Sequence, residues 1–123
     1  TGEELIAAVA IGCDLVCRLA LSVGDALERA WYPPPILGGF GAAAAAARLR
    51  HATPQQVLDA FSLLLCQTSC PKEIKHSEHS VIRAVREAFP AQTAVVVAAL
   101  ASEGVRGFDQ PLEGKGGFFH AFA

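Results

Sequence analysis

From Leu5 onward, apolar residues return at helical spacing: Leu5, Ile6, Val9, Cys13, Val16, Cys17 and Ala20. Thr1-x-x-Glu4 precedes them as a capping box, so the pattern predicts a helix from about Glu3 to Val23, ended by Gly24. Asp25 to Ala30 suits a short second helix. Pro33-Pro34-Pro35 then predicts an extended stretch, because a residue before proline avoids the α region. Ile36 to Leu49 contains Gly38, Gly39 and Gly41, followed by an unbroken alanine run from Ala42 to Ala47. A helix with so few bulky side chains lets other backbones come close, and it is expected to be central and buried.

Thr53-Pro54-Gln55-Gln56 is a second helix start: an N-cap threonine, proline at the first helical position, and glutamine completing the box. That helix is expected to run to about Thr68, with Val57, Leu58, Phe61, Leu64, Leu65 and Cys66 on its apolar side. Ser69 to Ser80 is the most polar stretch and reads as an exposed loop. Val81 to Phe89 fits either a helix kinked by Pro90 or a turn before a helix that Pro90 opens. Gln92 to Ser102 is nearly all apolar and is expected to be buried on most sides. Gly104 is the expected C-cap, and the glycine-rich remainder reads as a turn-rich strap.

Composition sharpens this picture. Of 123 residues, 23 are alanine, so the apolar excess lies in small side chains with high helix propensity. The expected fold class is all-α: a multi-helix bundle segment, residues 1–123, around a buried Gly/Ala-rich central helix. A formal net charge of -2 offers no basic excess to neutralise phosphates, which argues against a nucleic-acid partner. The longest charge-free window, Ala30 to Ala47, contains three prolines and several glycines, so no membrane span is expected there. The lack of methionine, with a start inside a helix, points to a piece of a longer chain.

Cys13/Cys17 and Cys66/Cys70 are two i,i+4 pairs. Four thiolates can bind zinc or an iron–sulfur cluster, but apolar helix faces offer no loop to fold round a metal. Buried, reduced cysteines in a cytoplasmic setting are the preferred reading, with no metal and no cofactor. His76 and His79 read as solvated loop residues, and His51 as a cation at a helix end. Arg83 and Arg86 share a helical face, with Lys72 or Lys75 within loop reach. Clustered cations suit a substrate with several carboxylates, because guanidinium pairs carboxylate bidentately; a solvated charged face is the alternative.

The run Pro33 to Leu49, then Thr53 to Gln56, Ala91-Gln92, Gly104 to Gly107 and Leu112-Glu-Gly-Lys-Gly-Gly-Phe-Phe119 resembles the MmgE/PrpD family over essentially the whole chain. That family includes 2-methylcitrate dehydratases, cis-aconitate decarboxylases and an iminodisuccinate epimerase. The resemblance implies a large helical domain with a separate α/β lid, a homodimer, and metal-free proton abstraction beside a carboxylate. Many members carry His before the proline that opens the Gly/Ala run, where Tyr32 stands here, and a Lys-x-x-His pattern where Arg83 and Arg86 stand. Arginine keeps the charge but cannot serve as a base. The resemblance therefore implies a lyase or isomerase of small polycarboxylates, with Tyr32 as acid/base and Arg83, Arg86 and Lys72 as substrate-binding cations. A non-catalytic helical assembly module is the competing expectation, its partners being a second copy or the remainder of its own chain.

Overall fold

The computed structural model describes every residue, Thr1–Ala123. Six α-helices follow one another: α1 (Gly2–Val23), α2 (Pro33–Leu49), α3 (Pro54–Leu65), α4 (Ile82–Val85), α5 (Ala88–Ser102) and α6 (Phe118–Phe122). Short 3-10 segments occupy Gly24–Arg29 and Lys72–Lys75, and there is no sheet. The fold is all-α. Helix α2 is its centre, packed against α1, α3 and α5 at once.

The glycines explain why α2 can hold that place. A Cβ on Gly12 of α1 would lie 2.7 Å from the Gly41 carbonyl oxygen, and one on Gly41 would meet Val16 Cγ2 at 2.5 Å. The two backbones therefore touch, and α1 buries the small Ala8 and Gly12 at the crossing and Leu19 and Val23 further along. The sequence pattern pointed to Leu5, Ile6, Val9, Cys13 and Cys17 as the inner face; the structure turns these outward, with Ile6 72% exposed. Close approach selects small residues, so the inner face is offset from the most hydrophobic one. Helix α5 repeats this offset. It buries Ala94, Val97, Ala98 and Ala101 and leaves Val95, Val96 and Leu100 exposed, where burial on most sides was expected. Gly2–Arg29 and Ile82–Ser102 are long and apolar enough, by length and composition alone, to cross a bilayer.

The three prolines do not extend the chain; they open α2. Its first-turn N–H groups would have no helical acceptor, so proline there removes nothing, and its fixed φ suits a helix. Only Tyr32, the N-cap, is extended, with φ -99° and ψ 105°. Thr53 and Gln56 form the expected reciprocal box: Gln56 N–H donates to Thr53 Oγ1 at 3.3 Å and Thr53 N–H to Gln56 Oε1 at 2.8 Å. Helix α3 stops at Leu65, earlier than expected. Gly104, at φ 89°, ends α5 as foreseen: its N–H donates to Ala101 O and that of Val105 to Leu100 O, the paired bonds of a Schellman ending.

The strap after Gly104 is clamped by one carboxylate. Asp59, 2% exposed, accepts from Gly107 N–H at 2.9 Å, from Gln55 Nε2 at 3.2 Å and from Arg106 Nε at 3.3 Å. Ser62 Oγ donates to Phe108 O at 3.1 Å, and no side chain fits at Gly107, whose Cβ would lie 2.3 Å from that of Ser62. The strap then ends in α6, which its composition hid. Phe118 is fully buried and stacks edge-on against Phe40, with ring centroids 5.0 Å apart, while Phe122 meets Trp31 at 5.6 Å.

Two stability predictions follow. Gly12→Ala should lower stability by about 1–2 kcal/mol, since overpacking against a carbonyl outweighs the gain in helix propensity. Gly38→Ala, with open space around its Cβ, should instead raise it by roughly 0.5–1 kcal/mol. Urea titrations of both variants check the contrast.

Asp59 supplies the second. Chiefly the Gly107 N–H, and then Gln55 and Arg106, hold its carboxyl below the ordinary value although burial opposes this. A carboxyl lowered on folding adds stability that is fully present above the unfolded value, near ~4, and is lost as pH falls through the folded one. Asp59→Ala should cost about 2–3 kcal/mol at neutral pH by orphaning buried donors. That deficit should narrow in acid, as unfolding at both pH values will show.

Candidate functional site

The candidate site forms where two distant segments pair. Tyr32 N–H donates to Cys70 O at 2.8 Å and Lys72 N–H to Ala30 O at 3.0 Å, around an isolated antiparallel bridge between Trp31 and Pro71. The polar stretch expected to be a wholly exposed loop is thus anchored, with Cys70 and Ile74 buried beneath it. His76 and His79 stay exposed, as expected. The anchoring signal was Ile74, a single apolar residue in a polar run.

Two cations stand over the Tyr32 ring. Arg86 Cζ lies 5.0 Å from the ring centroid and Lys75 Nζ 5.4 Å from it. Each lies within cation–π range. Just beyond Arg86, Pro90, the third residue of α5, has no N–H for the carbonyl four residues back and clashes with it. That carbonyl belongs to Arg86, and the chain breaks there, between α4 and α5. The guanidinium folds back: Nη1 donates to Arg83 O at 2.6 Å, and Nε lies 2.6 Å from Glu87 Oε1. The latter contact is close but misaligned, so the buried Nε–H has no hydrogen-bond acceptor.

The other expected cations go elsewhere. Arg83 is exposed and makes no ion pair or side-chain hydrogen bond; only its carbonyl takes part, as Arg86's acceptor. Lys72 Nζ donates to the Glu28 carbonyl at 2.6 Å, tying down the 3-10 segment before Trp31. Lys75, 4.0 Å from Glu28 Oε2, takes the position expected of Lys72. The structure brings together Tyr32, Arg86 and Lys75. Spacing within the polar stretch was too irregular to choose between the two lysines.

Cys70 borders the same cluster. Burial pushes its thiol up, Arg86 opposes the shift and Glu87 reinforces it. Cys13, Cys17 and Cys66 are exposed, which corrects the expectation of four buried thiols. No three His, Cys, Asp or Glu side chains converge in a metal-holding group. Cys13 and Cys17 instead edge a groove of about 420 Å³ between α1 and α2, lined also by Val9, Val16, Gly38 and Ala42. This groove is apolar, and none of Tyr32, Lys75 and Arg86 lines it. A smaller cavity of about 250 Å³, lined by Cys70, Pro71, Ile74, Ser77 and Ile82, adjoins the Tyr32 cluster through Cys70.

An all-α chain with a Gly/Ala-rich central helix, opened by prolines behind Tyr32 and closed by a Gly-rich strap, has a family counterpart. The family model described as MmgE/PrpD N-terminal domain matches residues 1–123. The chain belongs to the MmgE/PrpD family. No curated protein matches it. In this MmgE/PrpD domain the cationic cluster lies at the N-terminal end of the central helix, beside the groups that fix where α2 and α5 begin.

Proposed function

We propose that the domain contributes a carboxylate-binding and proton-transferring corner to a lyase or isomerase of small polycarboxylates. The observation that carries this reading is the pair of cations converging on Tyr32, one of them with a buried N–H lacking an acceptor. Guanidinium and ammonium hold substrate carboxylates in place, and such charges stabilise the extra negative charge that develops when a proton leaves the adjacent carbon. The Tyr32 phenol, beside them, is the group able to pass that proton. Arg86 and Lys75 fill the clamp in this reading; Arg83 and Lys72 support the loops that carry it. No cofactor or metal is required for these roles.

Arg86→Gln in the intact protein should weaken binding of a polycarboxylate by about 1.5–3 kcal/mol, seen by calorimetry. Tyr32→Phe should cut turnover while leaving affinity nearly unchanged. Full turnover in Tyr32→Phe would make the phenol a packing residue, and normal binding in Arg86→Gln would remove the clamp.

A second reading, an assembly module, draws on the apolar surface that α1 leaves open. Leu5, Ile6, Val9 and Leu21 are each more than half exposed, next to the apolar groove. A helix apolar on two faces belongs between two packed neighbours. The proposed occupant is a second copy, as in a homodimer. Sedimentation of residues 1–123 should show self-association, and a stable compact monomer at high concentration would sink this reading.

A further inference from the structure

We propose that a second copy lays its α1 antiparallel on this one, with the two-fold axis passing through Cys13. This rests on the assembly reading above and adds to it a register, an axis and the thiols that lie on the axis. In a symmetric pair the same patch is used by both subunits, so the contact face must fit its own reverse. The outward apolar stripe of α1 has that property. Val9 and Cys17 stand four residues either side of Cys13, and Ile6 and Ala20 stand seven residues either side. Reversing the helix about Cys13 therefore sets Val9 against the partner's Cys17 and Ile6 against the partner's Ala20. Ile6, Val9, Cys13 and Cys17 are exposed, and Ala20 is half-buried. Cys13 also lies at the middle of α1, so the same reversal brings the helix ends into line.

The charges agree with a self-contact. A charged group near a two-fold axis faces its own copy, and like charges brought together oppose binding. The stripe from Ile6 to Ala20 carries none. The two charged residues of that span, Asp14 and Arg18, stand off the stripe and neutralise each other, with Arg18 Nε 2.7 Å from Asp14 Oδ2.

Packing points to a close contact. Val9, Cys13 and Cys17 edge the apolar groove, whose other wall is Ala42 and Ala45 of α2. Those α2 side chains end at Cβ, so an incoming helix settles against α1 and α2 together. Packed helix axes lie about 8–10 Å apart, with Cα atoms about 2.3 Å from each axis, which leaves the two facing Cys13 Cα atoms roughly 4–5 Å apart. A disulfide spans about 4.4–6.8 Å between Cα atoms, so the thiols on the axis are within bridging reach. Cys17 faces an apolar residue of the partner and meets no thiol.

Disulfide trapping of the intact protein, with oxidised glutathione as the probe, tests the axis. One Cys13 thiolate attacks the glutathione disulfide and releases a first glutathione, and the partner's Cys13 thiolate then displaces the second. Two protein thiols are oxidised, two glutathione thiols are formed, and one intersubunit S–S bond results. Non-reducing electrophoresis should show a covalent dimer that Cys13→Ser abolishes and that Cys17→Ser and Cys66→Ser retain. Charge exchange tests the register. Val9→Glu and Cys17→Lys should each weaken the sedimenting dimer by about tenfold or more, because each puts a charge into an apolar contact. The double variant, whose new charges face one another across the interface, should recover most of that loss. A dimer with no Cys13 cross-link and no recovery in the double variant overturns the axis and register while the assembly reading survives. A cross-link that Cys66→Ser abolishes instead would place the contact on another face and also overturn them. An intact protein that sediments as a monomer overturns both readings together.

Discussion

The distance between the α1 and α2 backbones governs the rest of this fold. With Gly12 against Gly41, neither position of the crossing has room for a Cβ, so the two backbones meet there directly. Helix α5 buries small residues too, Ala94, Ala98 and Ala101. Interiors are packed too densely to absorb even one extra methyl group at such a contact. Bulky apolar side chains are consequently pushed to the flanks of the crossing. Some become the aromatic layer around Phe40 and Phe118; others, on α1 and α5, face outward.

The same logic says how much could be read from the sequence. Helix starts were legible wherever a polar side chain caps a specific N–H, as Thr53 and Gln56 do, and stops wherever glycine must take a positive φ, as at Gly104. The central place of the alanine run was legible too, from its lack of bulk. The inner face of α1 was not, because hydrophobicity ranks Leu5 and Ile6 above Ala8 and Gly12 while close packing ranks them the other way. The proline run misled for a related reason. Three prolines forbid helix continuation from before them, but they are compatible with a helix that begins on the first of them.

At the site, the sequence marked Tyr32, Arg83 and Arg86 and left Lys72 and Lys75 open as the lysine within reach, whereas the structure gathers Tyr32, Arg86 and Lys75. Arg83 and Arg86 look equivalent at helical spacing, yet only Arg86 lies over the Tyr32 ring. Asp59 shows the opposite case: an acid in an apolar helix whose purpose appears only when the strap folds back to place the Gly107 N–H upon it. Long-range partners of this kind leave no local mark.

The break between α4 and α5 traces back to the central helix. Gly39 of α2 leaves space that Pro90 fills, its Cβ 3.3 Å from where a Gly39 Cβ would stand. Seated there, Pro90 denies a hydrogen bond to the Arg86 carbonyl and ends α4 after a single turn. Arg86, the C-cap of α4, lies over Tyr32, while Arg83, within α4, remains in solvent. Tyr32 is placed by the same helix, as its N-cap. One element thus positions the phenol directly and seats the proline that follows Arg86. Gly39, one of the small residues that let α2 be buried, is also the seat of the proline that ends the turn carrying Arg86.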